Sequence, residues 1–306
     1  MKQAVLMLGF GGPTSLDQVR PFIEGVVAGR SVPPERIDLV VEQYKAIGGK
    51  SPFNELTLRQ AKALSESLEQ LGVAIPVVCG FLHARPFIRD TLAELVLANT
   101  DRLIVLVMAP QRSQASHGRY LQALEAAMAE HQSIPFVIVD DFHKQPLFIE
   151  AVGQRVKEKI RELNGEPYRL IFTAHSIPQS MPDSNSYDQQ IRESAQLVAD
   201  FCQHNDFRVA YQSRSGNPRD PWLGPDVSSA IEQAKSEGIN NVIVVPIGFL
   251  CDHVEVLYDL DILALAAAEK SQVRMLRAQT VSDQPKFIQM LSQLVGEKLK
   301  QPVSKP

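Results

Sequence analysis

Eight short runs rich in Val, Ile and Leu, most of them apolar through their centres rather than alternating, constrain this chain more than any other feature. They fall at residues 4–10, 75–82, 102–109, 135–140, 169–174, 208–212, 241–247 and 274–278. A strand with one wet face alternates apolar and polar residues. A run that is apolar throughout needs cover on both faces, as in a parallel sheet between helices. Helical patterns separate the runs, at 56–71, 89–98, 120–131, 145–163, 189–204, 227–237 and 255–269. This βα alternation predicts a doubly wound α/β fold. The helix expected over 146–166, ending in Asn164-Gly165-Glu166-Pro167, divides the chain into halves of similar content. Two α/β domains, 1–145 and 146–306, with a cleft between them are therefore expected. Gly80-Phe81-Leu82 and Gly248-Phe249-Leu250 close strands in the two halves, a faint echo between them.

Composition narrows the function classes. The chain has 306 residues, 44% of them apolar, enough for a substantial core. A net charge of -4 argues against nucleic acid as a partner. Cys79, Cys202 and Cys251 lie far apart, which excludes a disulfide framework and a clustered thiolate metal site and fits a reducing compartment. The first residues superficially resemble a signal peptide, but Gly11-Gly12-Pro13 reads better as the turn after a buried strand. No segment approaches the roughly 18 uninterrupted apolar residues of a membrane span. A cytoplasmic protein is expected.

The chemistry concentrates after two strands. Pro246-Ile247-Gly248-Phe249-Leu250-Cys251-Asp252-His253-Val254-Glu255-Val256-Leu257-Tyr258-Asp259 turns from a strand into an acidic helix. Ala174-His175-Ser176-Ile177-Pro178 ends another strand. Open α/β sheets bind ligands at strand carboxyl ends, so an imidazole and a carboxylate cluster there suit a divalent metal or proton transfer. Asp252-His253-Val254-Glu255 also reads as a capping box, with Asp252 as N-cap and Glu255 reaching back. Against that, Glu255 and Asp259 share a helix face, where like charges repel by about a few tenths of a kcal/mol unless a cation or proton lies between them. His175 and His83 each carry a competing structural reading. Trp222, between two prolines, reads as a core anchor. Gly9-Phe10-Gly11-Gly12-Pro13 invites a dinucleotide reading, but Thr14 stands where the third glycine belongs. Residues 178–187 and 213–225 are long irregular connections, which inside a compact domain are usually functional.

Over nearly its whole length the chain resembles the ferrochelatases. The resemblance rests on Gly11-Gly12-Pro13, Tyr44-Lys45-Ala46-Ile47-Gly48-Gly49-Lys50-Ser51-Pro52, Leu82-His83-Ala84-Arg85-Pro86-Phe87 and Ala109-Pro110-Gln111-Arg112-Ser113. It continues in Thr173-Ala174-His175-Ser176-Ile177-Pro178, Tyr211-Gln212-Ser213, Trp222-Leu223-Gly224-Pro225-Asp226 and Asp252-His253-Val254-Glu255-Val256-Leu257-Tyr258. It implies two Rossmann-like domains without a nucleotide, a porphyrin cleft between them, and insertion of Fe(II) into the macrocycle. Length and the Ala109-Pro110 and Asp220-Pro221-Trp222 segments are most similar to the short coproporphyrin-type enzymes, so coproporphyrin III is the expected substrate, with protoporphyrin IX as the alternative.

The resemblance also implies roles. His175 and Glu255 would handle metal and protons, a neutral imidazole with a carboxylate opposite it, and Asp259 would follow one helical turn on. Phe10, Gln43, Tyr44, Ser51 and Tyr120 fall at positions that contact iron or porphyrin in relatives. Iron and porphyrin would be substrates, with no resident cofactor, no nucleic acid, no obligate membrane span, and room for transient contact with neighbouring haem-pathway enzymes. Four positions depart from the pattern. Phe10 replaces a tyrosine that ligates product iron, Val27 and Gln43 replace arginines, and Leu263 interrupts an acidic ladder. A chelatase for another metal or tetrapyrrole and a non-catalytic porphyrin or haem carrier are the alternatives. A metal-dependent hydrolase fits less well, because no second His/Asp pair has ligand spacing.

Overall fold

A computed structural model describes residues 1–131, 133–215 and 219–301. It divides into two compact α/β units. The first contains β1 (Gln3–Gly9), α1 (Leu16–Val26), α2 (Pro34–Ala46), α3 (Phe53–Gln70), β2 (Val77–Phe81), α4 (Ile88–Leu97), β3 (Arg102–Val107), α5 (Arg119–Glu130) and β4 (Phe136–Ile138). Its strands are all parallel, in the order β2-β1-β3-β4. Alternate residues of β1 and β3, Ala4, Leu6, Leu8, Leu103, Val105 and Val107, pack on Ile88, Leu92 and Leu95 of α4 and Leu124 and Met128 of α5. Val5 and Met7 on the opposite face are equally buried. This two-sided burial is the reason the runs do not alternate.

The second unit contains α6 (Pro146–Glu162), β5 (Arg169–His175), α7 (Ser184–Phe201), β6 (Phe207–Gln212), α8 (Val227–Ser236), β7 (Asn241–Val245), α9 (Val254–Leu257), α10 (Leu265–Lys270) and β8 (Arg274–Arg277). Its parallel order, β6-β5-β7-β8, repeats that of the first sheet. Ile171, Ala210, Val242 and Val244 meet Ile231 and Ala234 of α8 and Leu260, Ala264 and Ala268 near α10.

All eight expected strands form. The expected helix at 255–269 does not run straight: α9 passes into a π-helical turn at Asp259–Ala264 before α10. The amide of Leu263 reaches back to the carbonyl of Tyr258 at 3.0 Å, the wide bond of a π turn. Helix α7 begins at Ser184, inside the connection expected to be irregular at 178–187. Part of the second connection, residues 216–218, lies outside the described residues.

The domain boundaries differ from 1–145 and 146–306. The first unit comprises Met1–Ala109, Ala115–Asp141 and the segment that starts at Ser282, so the last helix, α11 (Pro285–Leu299), returns to it. Local contacts explain the return. Gln60 Nε2 donates to the Ser282 carbonyl at 2.9 Å, Ser292 Oγ donates to Ser67 Oγ at 2.7 Å, and Arg102 donates to the Lys298 carbonyl at 3.0 Å. The buried stripe Phe287, Ile288, Leu291 and Val295 needs a face to cover, and α3 supplies it.

Candidate active site

In the second sheet the chain runs from β5 to β6 on one side and later adds β7 on the other. The strand order reverses at β5, and its carboxyl end is a topological switch point, where open α/β sheets leave a crevice. His175 is the last residue of β5. Glu255 lies in the first turn of α9, which the loop after β7 leads into. Gly248 lets that loop press on β5: a side chain there would start 2.7 Å from Ala174 Cβ, and its amide donates to the Thr173 carbonyl at 3.1 Å.

These elements bring His175 Nδ1 to 2.9 Å from Glu255 Oε2. Two further bonds hold the backbone on either side. Tyr187 Oη, from α7, donates to the His175 carbonyl at 3.1 Å, and Gln212 Nε2 donates to the Glu255 carbonyl. Ser213 Oγ donates to Asp259 Oδ2. Ser213 has a φ of 61°, in the left-handed region that a serine rarely occupies and that functional sites tolerate.

The capping box does not form. His253, not Asp252, is the N-cap of α9, and no side chain caps it. Asp252 instead binds Arg277 Nη2 at 3.2 Å and Thr280 Oγ1 at 2.9 Å, while Glu255 turns to His175. Arg277 also binds Asp261, which braces the π turn against β8.

Electrostatics separates the two carboxylates. Burial pushes Glu255 up, but the charge and hydrogen bond of His175, with help from His253 and Ser213, hold it down at about 2. Burial alone would lower His175; the charge and hydrogen bond of Glu255, then the charge of Asp259, raise it above the ordinary histidine value. The pair thus holds the imidazole's proton more firmly than an isolated histidine would, while Glu255 stays ionised. Burial dominates Asp259 and, with the charge of Glu255, lifts it to about 7 against the pull of Ser213. His253, edge-on to Phe249 at 4.8 Å, is lowered by burial. Two carboxylates with separated proton affinities beside an imidazole are a set of groups suited to acid–base chemistry. Among the described residues no three His, Cys, Asp or Glu side chains gather as a metal cage.

The first unit brings together Phe10 and His83, just after β1 and β2, and through Phe22 of α1 the buried Tyr44 of α2. The Phe10 ring lies 4.7 Å from His83 and 6.2 Å from Phe22, and Phe22 lies 6.3 Å from Tyr44. His83 Nε2 meets Arg119 Nη2 at 3.2 Å, and burial followed by the charges of Arg119 and Arg30 lowers this imidazole to about 4. His83 is therefore neutral, with Nε2 as the acceptor. Ser51 is buried beside Gly12, where a glycine Cβ would start 2.6 Å from the serine's own Cβ. Asn54 takes both the amide and the carbonyl of Gly12 at 2.9 Å, so that amide is not free for a phosphate. Tyr120 is buried in the core of this unit. Gln43 and Val27 are half-buried near the ends of α2 and α1, and Leu263 stands 46% exposed in the π turn.

Trp222 does not anchor a core. It is half-buried, and its backbone bridges Pro178, so 176–179 and 221–223 form a short ribbon. Tyr187, Gln212 and Arg119 were not assigned roles from sequence. The segment Tyr211-Gln212-Ser213 was the signal available for Gln212, and the register that pairs it with His175 shows where it acts.

The family model for ferrochelatase matches residues 2–299. Ferrochelatase of Rhodopirellula baltica is 36% identical over 98% of this chain and 87% of its own length. Coproporphyrin III ferrochelatase of Mycobacteroides abscessus is 36% identical over 96% of this chain and 88% of its own, and that of Frankia alni is 35% identical over 96% and 79%. Among solved structures, "SirB from Bacillus subtilis with Fe3+" matches with a TM-score of 0.62 at 12% identity, covering 98% of this chain and 96% of that one. CbiX, described as the terminal enzyme of sirohaem biosynthesis in denitrifying bacteria, matches at 0.56 and 15%, covering 98% and 100%. At these identities the structural likenesses show a shared chelatase fold. The match over 2–299 and relatives identical at more than one position in three, aligned along almost the whole chain, make this protein a member of the ferrochelatase family.

Proposed function

We propose that the protein inserts ferrous iron into coproporphyrin III in haem biosynthesis, with His175, Glu255 and Asp259 handling iron and protons. The observation that carries the assignment of roles is the His175–Glu255 contact at 2.9 Å beside an Asp259 poised at about 7. The naming of relatives as coproporphyrin III ferrochelatases supports the choice of macrocycle.

Insertion replaces two pyrrole N–H protons by one dication, so two protons must leave. Glu255 stays ionised at neutral pH and holds Nδ1–H of the imidazole, which leaves Nε2 as the atom that loses and gains a proton. Approach of Fe(II) disfavours the imidazolium and expels its proton, as cation binding generally does at histidine. Neutral His175 then offers Nε2 to a pyrrole proton or to the iron, and ionised Asp259, near its midpoint at pH 7, accepts the released protons one at a time and passes them to solvent. Phe10, Tyr44 and the rings around them offer an apolar wall to a flat macrocycle, while Ser51, Gln43 and Tyr120 belong to the same unit.

On this reading iron and porphyrin are substrates and no cofactor is resident. Among the described residues no helix is long and apolar enough to cross a membrane. A cytoplasmic site of action, with transient contact to neighbouring pathway enzymes, fits these features. Anaerobic incubation of the protein with Fe(II) and coproporphyrin III, without nucleotide, tests the proposal. The four-banded spectrum of the free porphyrin should convert to that of the iron complex. An absolute need for ATP or a nicotinamide, or binding without conversion, would refute it.

A further inference from the structure

Two guanidinium groups of the first unit have no carboxylate to answer them. Arg119 is half-buried at the start of α5, its Nη2 3.2 Å from Nε2 of His83. Arg30, exposed after α1, acts on both through its charge, and burial followed by that charge lowers Arg119 itself. By contrast Arg169 is paired with Asp206 and Glu237, Arg277 with Asp252 and Asp261, and Arg155 with Glu158. Among the described residues no acid forms an ion pair with Arg119 or Arg30. His83 accepts one hydrogen bond but, being neutral, cancels no charge. A half-desolvated cation without a counter-charge is unfavourable unless an anion is to arrive.

The same imidazole carries the aromatic wall. Phe10 lies 4.7 Å from it and Phe22 6.3 Å, edge-on. One edge of His83 is thus in a cationic pair and its face in an apolar cluster. The complement is a flat apolar ring system with carboxylate at its rim.

We propose that Arg119, set beside the Phe10–His83–Phe22 wall and assisted by the charge of Arg30, seats a carboxylate substituent of the macrocycle and so makes the protein read the charge of its porphyrin. This rests on the proposed function and adds the residues that select among porphyrins. A guanidinium offers paired donors matched to a carboxylate, which a lysine ammonium does not. Arg119 contributes more because it is the less solvated of the two, and Arg30 contributes through charge that salt can screen.

The test is binding without metal, read by quenching of porphyrin fluorescence on the whole protein. Coproporphyrin III and its tetramethyl ester are titrated against the natural protein, Arg119→Gln, Arg119→Lys and Arg30→Gln. Arg119→Gln should weaken the free acid about tenfold or more, the scale of one lost charge-assisted contact, and leave the ester unchanged. Arg119→Lys should fall between, and Arg30→Gln should weaken the acid less, with the difference vanishing at high salt. An equal loss for acid and ester, or none for the acid, would overturn the proposal. Competition by inorganic phosphate alone at low millimolar concentration would also overturn it, by making the pair a general anion site. Arg30→Gln, on an exposed residue, keeps the test valid should Arg119→Gln disturb folding, which a melting curve monitors. Because no iron is present, a protein that binds the acid through these arginines but inserts no iron would sink the functional reading and leave this one standing.

Discussion

His175 and Glu255, 80 residues apart in sequence, meet through Nδ1 and Oε2 at 2.9 Å. The contact turns two ambiguous residues into one device. Glu255 fixes the tautomer and orientation of the imidazole, and the imidazole keeps Glu255 ionised. The charge the pair carries then depends on what arrives at Nε2.

Replacing His175 by alanine should abolish iron insertion while porphyrin binding survives within a fewfold. Apolar ring surface supplies most of the macrocycle's affinity, and the imidazole supplies none of that surface. Absorbance-monitored insertion beside fluorescence titration separates the two. Insertion at the natural rate by a folded variant would remove His175 from the mechanism.

Glu255→Gln keeps the shape and the reach of the side chain but not the charge. The imidazole should then lose the influence that raises it, and its titration, followed by NMR, should move down. Turnover should fall by about two orders of magnitude, the usual worth of one acid–base group. Since Glu255 makes no cap, a small change in melting temperature is expected. Unchanged turnover would refute the assignment.

Asp259 gives a prediction with a definite sign. Its folded value of about 7 lies above its ordinary 3.8, so the native chain holds this proton more tightly than the unfolded chain. The associated stability is complete below about pH 4 and is lost as pH rises through about 7. Asp259→Asn should therefore raise the melting temperature at pH 8, by roughly 2–4 °C for each kcal/mol recovered, and leave it unchanged at pH 4. It should also lower turnover, less than Glu255→Gln does. A loss of stability at pH 8 would contradict the burial argument.

Ser213→Ala removes the hydroxyl that donates to Asp259 and lowers its proton affinity. The pH at which insertion reaches half its maximum should shift upward, with porphyrin affinity unchanged. A rate profile across pH 6 to 9 reads this directly. A profile that stays in place would mean that Asp259 does not limit proton release.

Tyr187→Phe removes the donor to the His175 carbonyl while keeping the ring in its buried place. A drop in turnover of a fewfold with little effect on porphyrin binding is expected, because only the imidazole's position is loosened. Equal loss of binding and turnover would point to collapse of the loop instead.

The eight strands, the parallel sheets and the two strand ends that carry the chemistry were legible in the chain itself. Strand residues such as Val5, Leu6 and Met7 are buried on both faces, and that demand is written in consecutive positions. Helices α1, α2 and α11 were not read from the pattern. Pro21 interrupts the first, and the second buries only Tyr44, so neither shows a full apolar stripe. Helix α11 has such a stripe, but nothing local says which unit it will cover; α3 and Ser282 decide that across more than 200 residues. The capping box and the contact with His175 were competing uses of the same Glu255 side chain. Only the reversal of strand order at β5, which sets the exits of β5 and β7 side by side, puts His175 within reach and decides between them. The proton affinities follow the same division. Residue type sets where each titration begins, while burial and a partner 80 residues away move Glu255 to about 2 and Asp259 to about 7, because desolvation and Coulomb energy depend on distance in space and not along the chain.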